Sequence, residues 1–587
     1  MNFLLDLLAC LVRLIRWSFG LFRAPHSENV PQPDPPSSPS STSPPLLREK
    51  SSLILTPDFD SSSGTALQNL QQGLKKYRLE SCVDRHLEFV AGPIVQRLVE
   101  DNIEAILEER SLGDVEHISS HCQLISKHAT RLFAIFVELK REECIIPLLR
   151  EGIHDDNLPF QRVQTPTQHT MALVTRQGTN VHALRGWDNE AINILDKKQY
   201  RFLSPIFRRG EHYKLDDLHI LPFLDHEADH EGKAHAEGGY GQVFRACIHP
   251  DNHEFEDSSV RPRRGLFVAV KLLFHNDDFE PERNVYRALG HLSHDHLIDL
   301  LFTYKIKNRY HLVFPWADGS LKDYWEKYPE PVFTHQTLLW SVEQMKGIVS
   351  GLAYFHEFTN PEHGQTRFGR HGDIKAQNIL WFRHANILKI ADLGLARVHG
   401  RHSRSNVPPS TVVASPTYSP PEHQRGHPVS RRWDIWSLGC LYLEFVTYLI
   451  LGNDAIVEFS SQRKGPTEIR ELTSDVFYSE DAQEVNPGVI VWVAHLRHSQ
   501  RCSRAMHDLL DLVMDEMLVV DPDARSSSRQ IYKKMEKLIK RVEEEKKYLI
   551  KPKPLALGHS RRLPRMFESL LQPQPLSAAP RSHTWNL

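Results

Sequence analysis

Apolar residues recur at helical spacing through the first part of the chain and at strand spacing through the middle. Leu67, Leu70 and Leu74 fall on one helix face, and Ile94, Leu98, Ile103, Ile106 and Leu107 repeat the pattern. Leu132, Phe133, Phe136, Val137 and Leu139 make a further stripe, with Arg131, Lys140 and Arg141 on the other side. Pro147 and Pro159 punctuate its end. The periodicity predicts an all-helical domain of four to six helices over residues 66–159, and nothing in it looks catalytic. Residues 160–228 read as a connector whose Trp187, Phe202, Pro205 and Phe207 need something to pack on. Beyond it the period changes. Val268-Ala269-Val270-Lys271 and Leu312 to Ala317 read as strands, as does the run with Ile387, Leu388 and Ile390.

The ends are different. Residues 1–24 are mostly apolar but carry Asp6, Arg13 and Arg16, which fall in one narrow sector of a helix with Asn2, Gly20 and Arg23. Three charges make a membrane-spanning helix costly, and the apolar run lacks the charged start of a secretory signal. The pattern predicts an amphipathic helix lying on a membrane surface, or else one docked on the protein's own helical domain. Residues 25–65 form a linker, with eight prolines among residues 25–45. The tail, 548–587, is expected to be basic, proline-containing and solvated.

Composition changes this picture little. Of 587 residues, 40% are hydrophobic and 25% charged, which are globular values. A net charge of −3 gives no pull toward nucleic acid, and no nucleic-acid partner is expected. The seven cysteines form no C-x-x-C pair, so neither a zinc site nor a disulfide framework is indicated, and an intracellular, cytoplasmic setting follows. His294 and His296 flank Asp295 without the wider spacing of a metal site.

Candidate chemistry centres on His371-Gly372-Asp373-Ile374-Lys375-Ala376-Gln377-Asn378. Phosphoryl transfer to a hydroxyl needs a carboxylate that orients the acceptor and a metal ligand close by. Asp373 and Asn378 have suitable spacing on one short loop, with Lys375 between them. Asp392-Leu393-Gly394 follows, while Val268 to Lys271 and Glu237-Gly238-Gly239-Tyr240-Gly241-Gln242-Val243 lie upstream. Lys271 closes an apolar strand, where an unpaired ammonium would be costly.

This order of motifs resembles that of eukaryotic-type protein kinases of the serine/threonine type. The resemblance covers residues 229–547. It implies an α+β bilobal protein-kinase-like domain preceded by the all-α helical domain, a layout similar to fungal kinases that carry a helical region before the kinase domain. It implies ATP and Mg²⁺ as cofactors and a protein as the phosphate acceptor. Asp373 and Lys375 would be catalytic, and Asn378 and Asp392 would hold the metal. Glu237, Gly238, Gly239, Tyr240, Gly241, Val243, Ala269 and Lys271 would bind ATP. Phe314 would be the gatekeeper and Ala317 would offer its backbone to adenine. Glu282 is the expected partner of Lys271, with Glu280 as the alternative. Glu422 would pair with Arg525, and Asp434 would hold the catalytic loop. Two residues depart from the family pattern. Ala236 replaces the first glycine of the phosphate loop. Gly372 stands where many members have an arginine that clamps a phosphorylated activation segment, which implies activity without such a clamp. A pseudokinase or scaffold, and a small-molecule phosphotransferase, are the competing readings.

Overall fold

The computed structural model describes residues 64–554, apart from 85, 113–116, 165–170, 225–235, 239–240, 256–264, 290–293, 360–363, 401–414, 427–428, 465–474 and 480. The expectations for residues 1–24, for most of the 25–65 linker and for the tail beyond residue 554 lie outside the described residues, as do those for Gly239 and Tyr240.

Helices Ala66–Lys76, Gly92–Glu100, Ile103–Glu109, Ile118–His128, Thr130–Glu138 and Ile145–Arg150 build the N-terminal region. The helix Thr130–Glu138 is its spine, with Leu132 through Val137 all buried. Thr65 caps the first helix in a capping box with Gln68. Two findings change the sequence reading. The region is not purely helical: Leu79–Glu80 pairs with Glu88–Phe89, and Gln161–Gln164 with Met171–Val174. Nor are residues 160–228 a mere connector, because Phe160, Leu173, Leu195, Phe202 and Ile220 complete the same hydrophobic core. Their apolar residues are sparse and aperiodic, so sequence periodicity could not attach them to the helices.

The central sheet follows the order 212–214, 302–306, 309–315, 266–273, 241–248, 223–224. The strand His212–Lys214 runs parallel to Phe302–Ile306, and Phe223–Leu224 runs antiparallel to Gly241–Ile248. The sheet therefore takes one edge, and part of the other beside Ala236–Gly238, from residues before 229, where the kinase-like domain was expected to start. These edge strands are three and two residues long, too short to carry an alternating signal.

Below the sheet lies the large helical lobe. Its helix Arg432–Leu451 is mostly apolar, buries every residue from Trp433 to Ile450, and is the one described helix long and apolar enough to cross a membrane. Burial on all faces identifies it as the core of this lobe. Helices His335–His356 and Ser528–Glu544 pack on each other beside it. The short helix Lys546–Ile550 buries Tyr548 and Leu549, so the solvated tail does not begin at residue 548 as expected.

Candidate active site

Strand register brings the upper half of the site together. Val243 lies opposite Lys271, and Phe314 lies opposite Ala269. Residues directly opposite each other share a sheet face, as do residues two apart on one strand. Val243, Ala269, Lys271 and Phe314 therefore all look into the cleft. The other face carries Phe244, Val268, Val270 and Val313 into a separate apolar core. Gly241 is required at its position, because a Cβ there would lie 2.3 Å from the carbonyl oxygen of Leu272. Glu237 and Gly238 lie on the strand Ala236–Gly238, which pairs with Gly241–Val243. Ala317 lies between Trp316 and Asp318, whose N–H groups donate to Phe267 O (3.3 Å) and Trp381 O (2.9 Å).

The helix Phe279–Leu289 turns Glu282 inward beside Val285, Tyr286 and Leu289, all buried. Lys271 Nζ donates to both carboxylate oxygens of Glu282, at 2.9 and 3.1 Å, and to Asp392 Oδ1 at 2.8 Å. Glu280 instead faces outward and meets Arg283 at 3.5 Å. Burial would lower the Lys271 pKa, but the carboxylates of Asp392 and Glu282 raise it, so the ammonium stays charged. Burial pushes Asp392 upward, but Lys271 outweighs it and holds the carboxyl down at about 2. For Glu282, burial wins over Lys271 and the pKa is raised. Asp392 itself adopts a left-handed backbone, with φ +63°, and Gly394 N–H donates to its Oδ1.

The catalytic loop hangs from one buried carboxylate. Asp434 Oδ2 accepts from the His371 N–H and Asp434 Oδ1 from the Gly372 N–H, both at 2.8 Å. His356 Nε2 meets Asp434 Oδ2 at 2.9 Å. These partners, against the opposing push of burial, keep the Asp434 pKa low. The His371 ring bridges Ala391 O (3.0 Å) and the Asp373 N–H (3.2 Å), tying the loop to the residue before Asp392. Asp373 Oδ2 accepts from Asn378 Nδ2 (2.9 Å) and pairs with Lys375 Nζ (2.7 Å). Among the described residues its Oδ1 has only a long contact to the Ser415 N–H, 3.4 Å, and so keeps capacity for an acceptor hydroxyl. Lys375 Nζ also donates to Ser415 Oγ at 2.7 Å.

The residues named for metal binding fit a hard cation with oxygen ligands. Asn378 uses its Nδ2 on Asp373 O and Oδ2, which leaves its carbonyl oxygen for a cation. The Asp392 side chain remains 45% exposed on the cleft. Glu422 and Arg525 form a buried bidentate pair at 2.9 and 3.0 Å, away from the chemistry.

Sequence reasoning missed two participants. One is Ser415, whose hydroxyl accepts from Lys375 Nζ. Arg463 stacks between Phe459 and Phe477, 4.1 Å from each ring centroid, and reaches Asp475 and Glu444. Thr417 and Tyr418 bond those same two acids, so this cluster anchors the far end of the activation segment. Neither has a local signature: Ser415 meets Lys375 across 40 residues, and Arg463 joins residues from two helices and a loop that periodicity does not bring together.

Comparison with known proteins agrees with this geometry. Residues 237–535, about half of the chain, match the model of the protein kinase domain family. The chain is 31% identical over 215 residues to L-type lectin-domain containing receptor kinase IV.2 of Arabidopsis thaliana, covering 36% of this chain and 28% of that one. It is 26% identical over 298 residues to cyclin-dependent kinase-like 2 of Oryctolagus cuniculus, covering 49% and 47%. It is 30% identical over 166 residues to serine/threonine-protein kinase Nek8 of Danio rerio, covering 28% and 22%. The chain thus spans less than half the length of these relatives.

Proposed function

The chain belongs to the protein kinase domain family, and from that premise we propose that it is an active enzyme transferring the γ-phosphate of ATP to serine or threonine hydroxyls of a protein. The observation that carries this reading is the Lys271 bridge. Side chains from a strand, a helix and a loop converge on one ammonium, with Asp373 and Asn378 joined by hydrogen bonds on the catalytic loop.

The chain's own residues divide the work. Lys271, fixed by Glu282, offers its charge to the α- and β-phosphates. Asp373 Oδ1 accepts the hydrogen bond of the incoming hydroxyl and orients its oxygen toward the γ-phosphorus. Lys375 neutralises Asp373 Oδ2 and steadies the γ-phosphate, while its bond to Ser415 sets the floor on which the acceptor residue rests. Asn378 and Asp392 would hold Mg²⁺, which when bound neutralises charge on the phosphates. Val243, Ala269 and Phe314 exclude water around the base, and Glu237, Gly238 and Gly241 belong to the hairpin over the phosphates.

The likeness to fungal kinases with a helical region before the kinase domain is part of the same reading, supported by the helices between residues 66 and 150. So are an intracellular location, supported by scattered cysteines without a C-x-x-C pair, and peripheral membrane contact through residues 1–23, supported by their narrow charged sector. Deleting residues 1–23 should move the protein from the membrane fraction to the soluble one. Unchanged fractionation would refute the membrane contact.

The activity test is incubation of the full-length protein with generic protein substrates and ATP radiolabelled at the γ-phosphate. The expected result is label on serine and threonine. Nucleotide binding without any label would favour a scaffold instead.

A further inference from the structure

The turn Pro416–Tyr418 carries the floor on which the acceptor residue rests. One end of it is fixed by Ser415, whose hydroxyl accepts from Lys375 Nζ at 2.7 Å. The Tyr418 N–H closes the turn on Ser415 O at 3.2 Å. The other end is fixed by two acids. Thr417 Oγ1 donates to Asp475 Oδ1 at 2.5 Å, and the Tyr418 hydroxyl donates to Glu444 Oε2 at 2.7 Å. One cation serves both acids. Arg463 Nη2 stands 3.4 Å from Asp475 Oδ2 and 3.7 Å from Glu444 Oε1, and Nε donates to the Asp475 carbonyl oxygen at 2.8 Å. Arg463 is only 3% exposed, held between the rings of Phe459 and Phe477. Its Nη1 is buried without a hydrogen-bond partner among the described residues.

Two buried carboxylates on one guanidinium leave a negative charge unbalanced, and a proton is the simplest remedy. The surroundings decide which acid takes it. Burial raises Asp475, but the Thr417 hydroxyl, Arg463, the Ser460 hydroxyl and Lys464 outweigh it and hold that carboxyl below the usual range. Burial raises Glu444 to about 7, against the pull of Arg463 and the Tyr418 hydroxyl; Asp475 adds to the rise, and Lys322 opposes it. At 3.7 Å the Glu444–Arg463 pair is too long for a hydrogen bond. The other titratable groups beside Glu444 among the described residues stay neutral, because burial pushes the Tyr418 hydroxyl and the Cys440 thiol far above their ordinary values. Glu444 therefore carries the proton of this cluster below neutrality and releases it to solvent above.

We propose that Arg463 is a positioning residue for the protein acceptor, acting through Glu444 and Asp475 on Tyr418 and Thr417, and that loss of one proton from this cluster tightens the acceptor floor. A neutral carboxyl holds the Tyr418 hydroxyl through an ordinary hydrogen bond. A carboxylate holds it through a charge-assisted one of roughly twice the strength. The carboxylate also draws in the spare donor of Arg463. Ionisation costs the whole fold stability, because the charge is buried, and it stiffens the one turn that the acceptor touches. Tyr418 and Thr417 pass that stiffness to Ser415, and so to Lys375 and Asp373.

The inference rests on the kinase reading for its kinetic readout, and hydrogen exchange supplies a second readout that needs no activity. Full-length wild type and Glu444→Gln are compared with a generic protein acceptor at saturating MgATP. From pH 6 to pH 8 the acceptor KM of wild type should fall about fivefold, as an ordinary hydrogen bond becomes a charge-assisted one, while that of Glu444→Gln stays within about twofold. Tyr418→Phe lacks the hydroxyl and should lose the same response. Arg463→Gln should raise the acceptor KM about tenfold at pH 8 and the KM for ATP by no more than about twofold, with part of the loss recovered in Arg463→Lys. An arginine that only stabilises the lobe would lower the melting temperature and leave the acceptor KM and its pH response as in wild type, which would overturn the proposal. So would an equal pH response in Glu444→Gln. Should Arg463→Gln fail to fold, Glu444→Gln and Tyr418→Phe decide. For exchange, the amides of Thr417, Tyr418 and Ser419 are followed in Glu444→Gln and wild type at the same pH, so that intrinsic rates cancel. The ratio of the two rates should be near one at pH 6 and about threefold at pH 8. A ratio independent of pH would overturn the proposal. If no form transfers phosphate, the kinase reading fails, and the exchange ratio alone decides the role of the cluster.

Discussion

The cleft and the seam that joins the N-terminal helices to residues 160–228 are both built from charge, but they are balanced differently. In the cleft a single ammonium, Lys271, serves two carboxylates, and one of them, Asp392, stays open to solvent. In the seam two arginines converge on one carboxylate. Arg78 and Arg201 reach Glu138 at 2.7 and 2.5 Å, Arg201 also meets Glu88 at 3.1 Å, and Lys198 stands at 4.0 Å. Backbone bonds close the seam: Cys82 N–H to Phe223 O at 2.7 Å and Val90 N–H to Arg201 O at 2.9 Å. Cation is short in the cleft and sufficient in the seam. A set that satisfies itself holds architecture, while a set short of one sign marks where a ligand of the other sign goes.

This contrast can be broken at either end. Lys271→Met removes the only cation of the cleft triad. It should cost at least ~10²-fold in phosphate transfer, the scale of losing one preorganised electrostatic contact, checked by steady-state kinetics at saturating ATP. Glu282→Gln keeps the ammonium but loosens it, and about a tenfold loss is expected, with Glu280→Gln within about twofold of wild type. If Glu280→Gln were the damaging change, the observed register of the helix Phe279–Leu289 would be wrong.

In the seam the outcome should be of another kind. Glu138→Gln leaves two arginines competing for one neutral amide and should lower unfolding stability by roughly 1–3 kcal/mol. Turnover per folded molecule should stay within about twofold, since no seam residue touches the phosphates. Parallel denaturant melts and kinetics separate the two effects. A large loss of turnover at unchanged stability would mean that the seam is not purely architectural.

The smallest effect concerns Glu444, the buried acid beneath Tyr418. Burial raises its pKa to about 7, although Arg463 and the Tyr418 hydroxyl pull it down. A carboxyl raised above its unfolded value stabilises the fold while protonated, and that contribution is lost as pH rises through 7. Between pH 6 and 8 wild type should therefore lose about 1 kcal/mol relative to Glu444→Gln. A pH-independent difference between the two proteins would contradict the assignment.

The two regions also differ in how much of them the sequence discloses. Lys271, Asp373, Asn378 and Asp392 stood out because their chemistry forces charged residues into apolar or tightly spaced surroundings, which is visible locally. Glu282 could be preferred over Glu280 because Val285, Tyr286 and Leu289 follow it at helical spacing. The seam could not be read. Arg201 and Glu138 are 63 residues apart, and Ser81 reaches Leu221 across 140. The edge strands 212–214 and 223–224 owe their conformation to partners in the sheet rather than to their own residues.

The central claim is that the cleft transfers phosphate with Asp373 orienting the acceptor. The most direct measurement pairs phosphate transfer with nucleotide binding in full-length wild type and Asp373→Ala. The account predicts that the variant binds MgATP within about threefold of wild type and loses about 10²–10⁴-fold in transfer, the range for a positioned acid–base group. Equal transfer by the two proteins would contradict it.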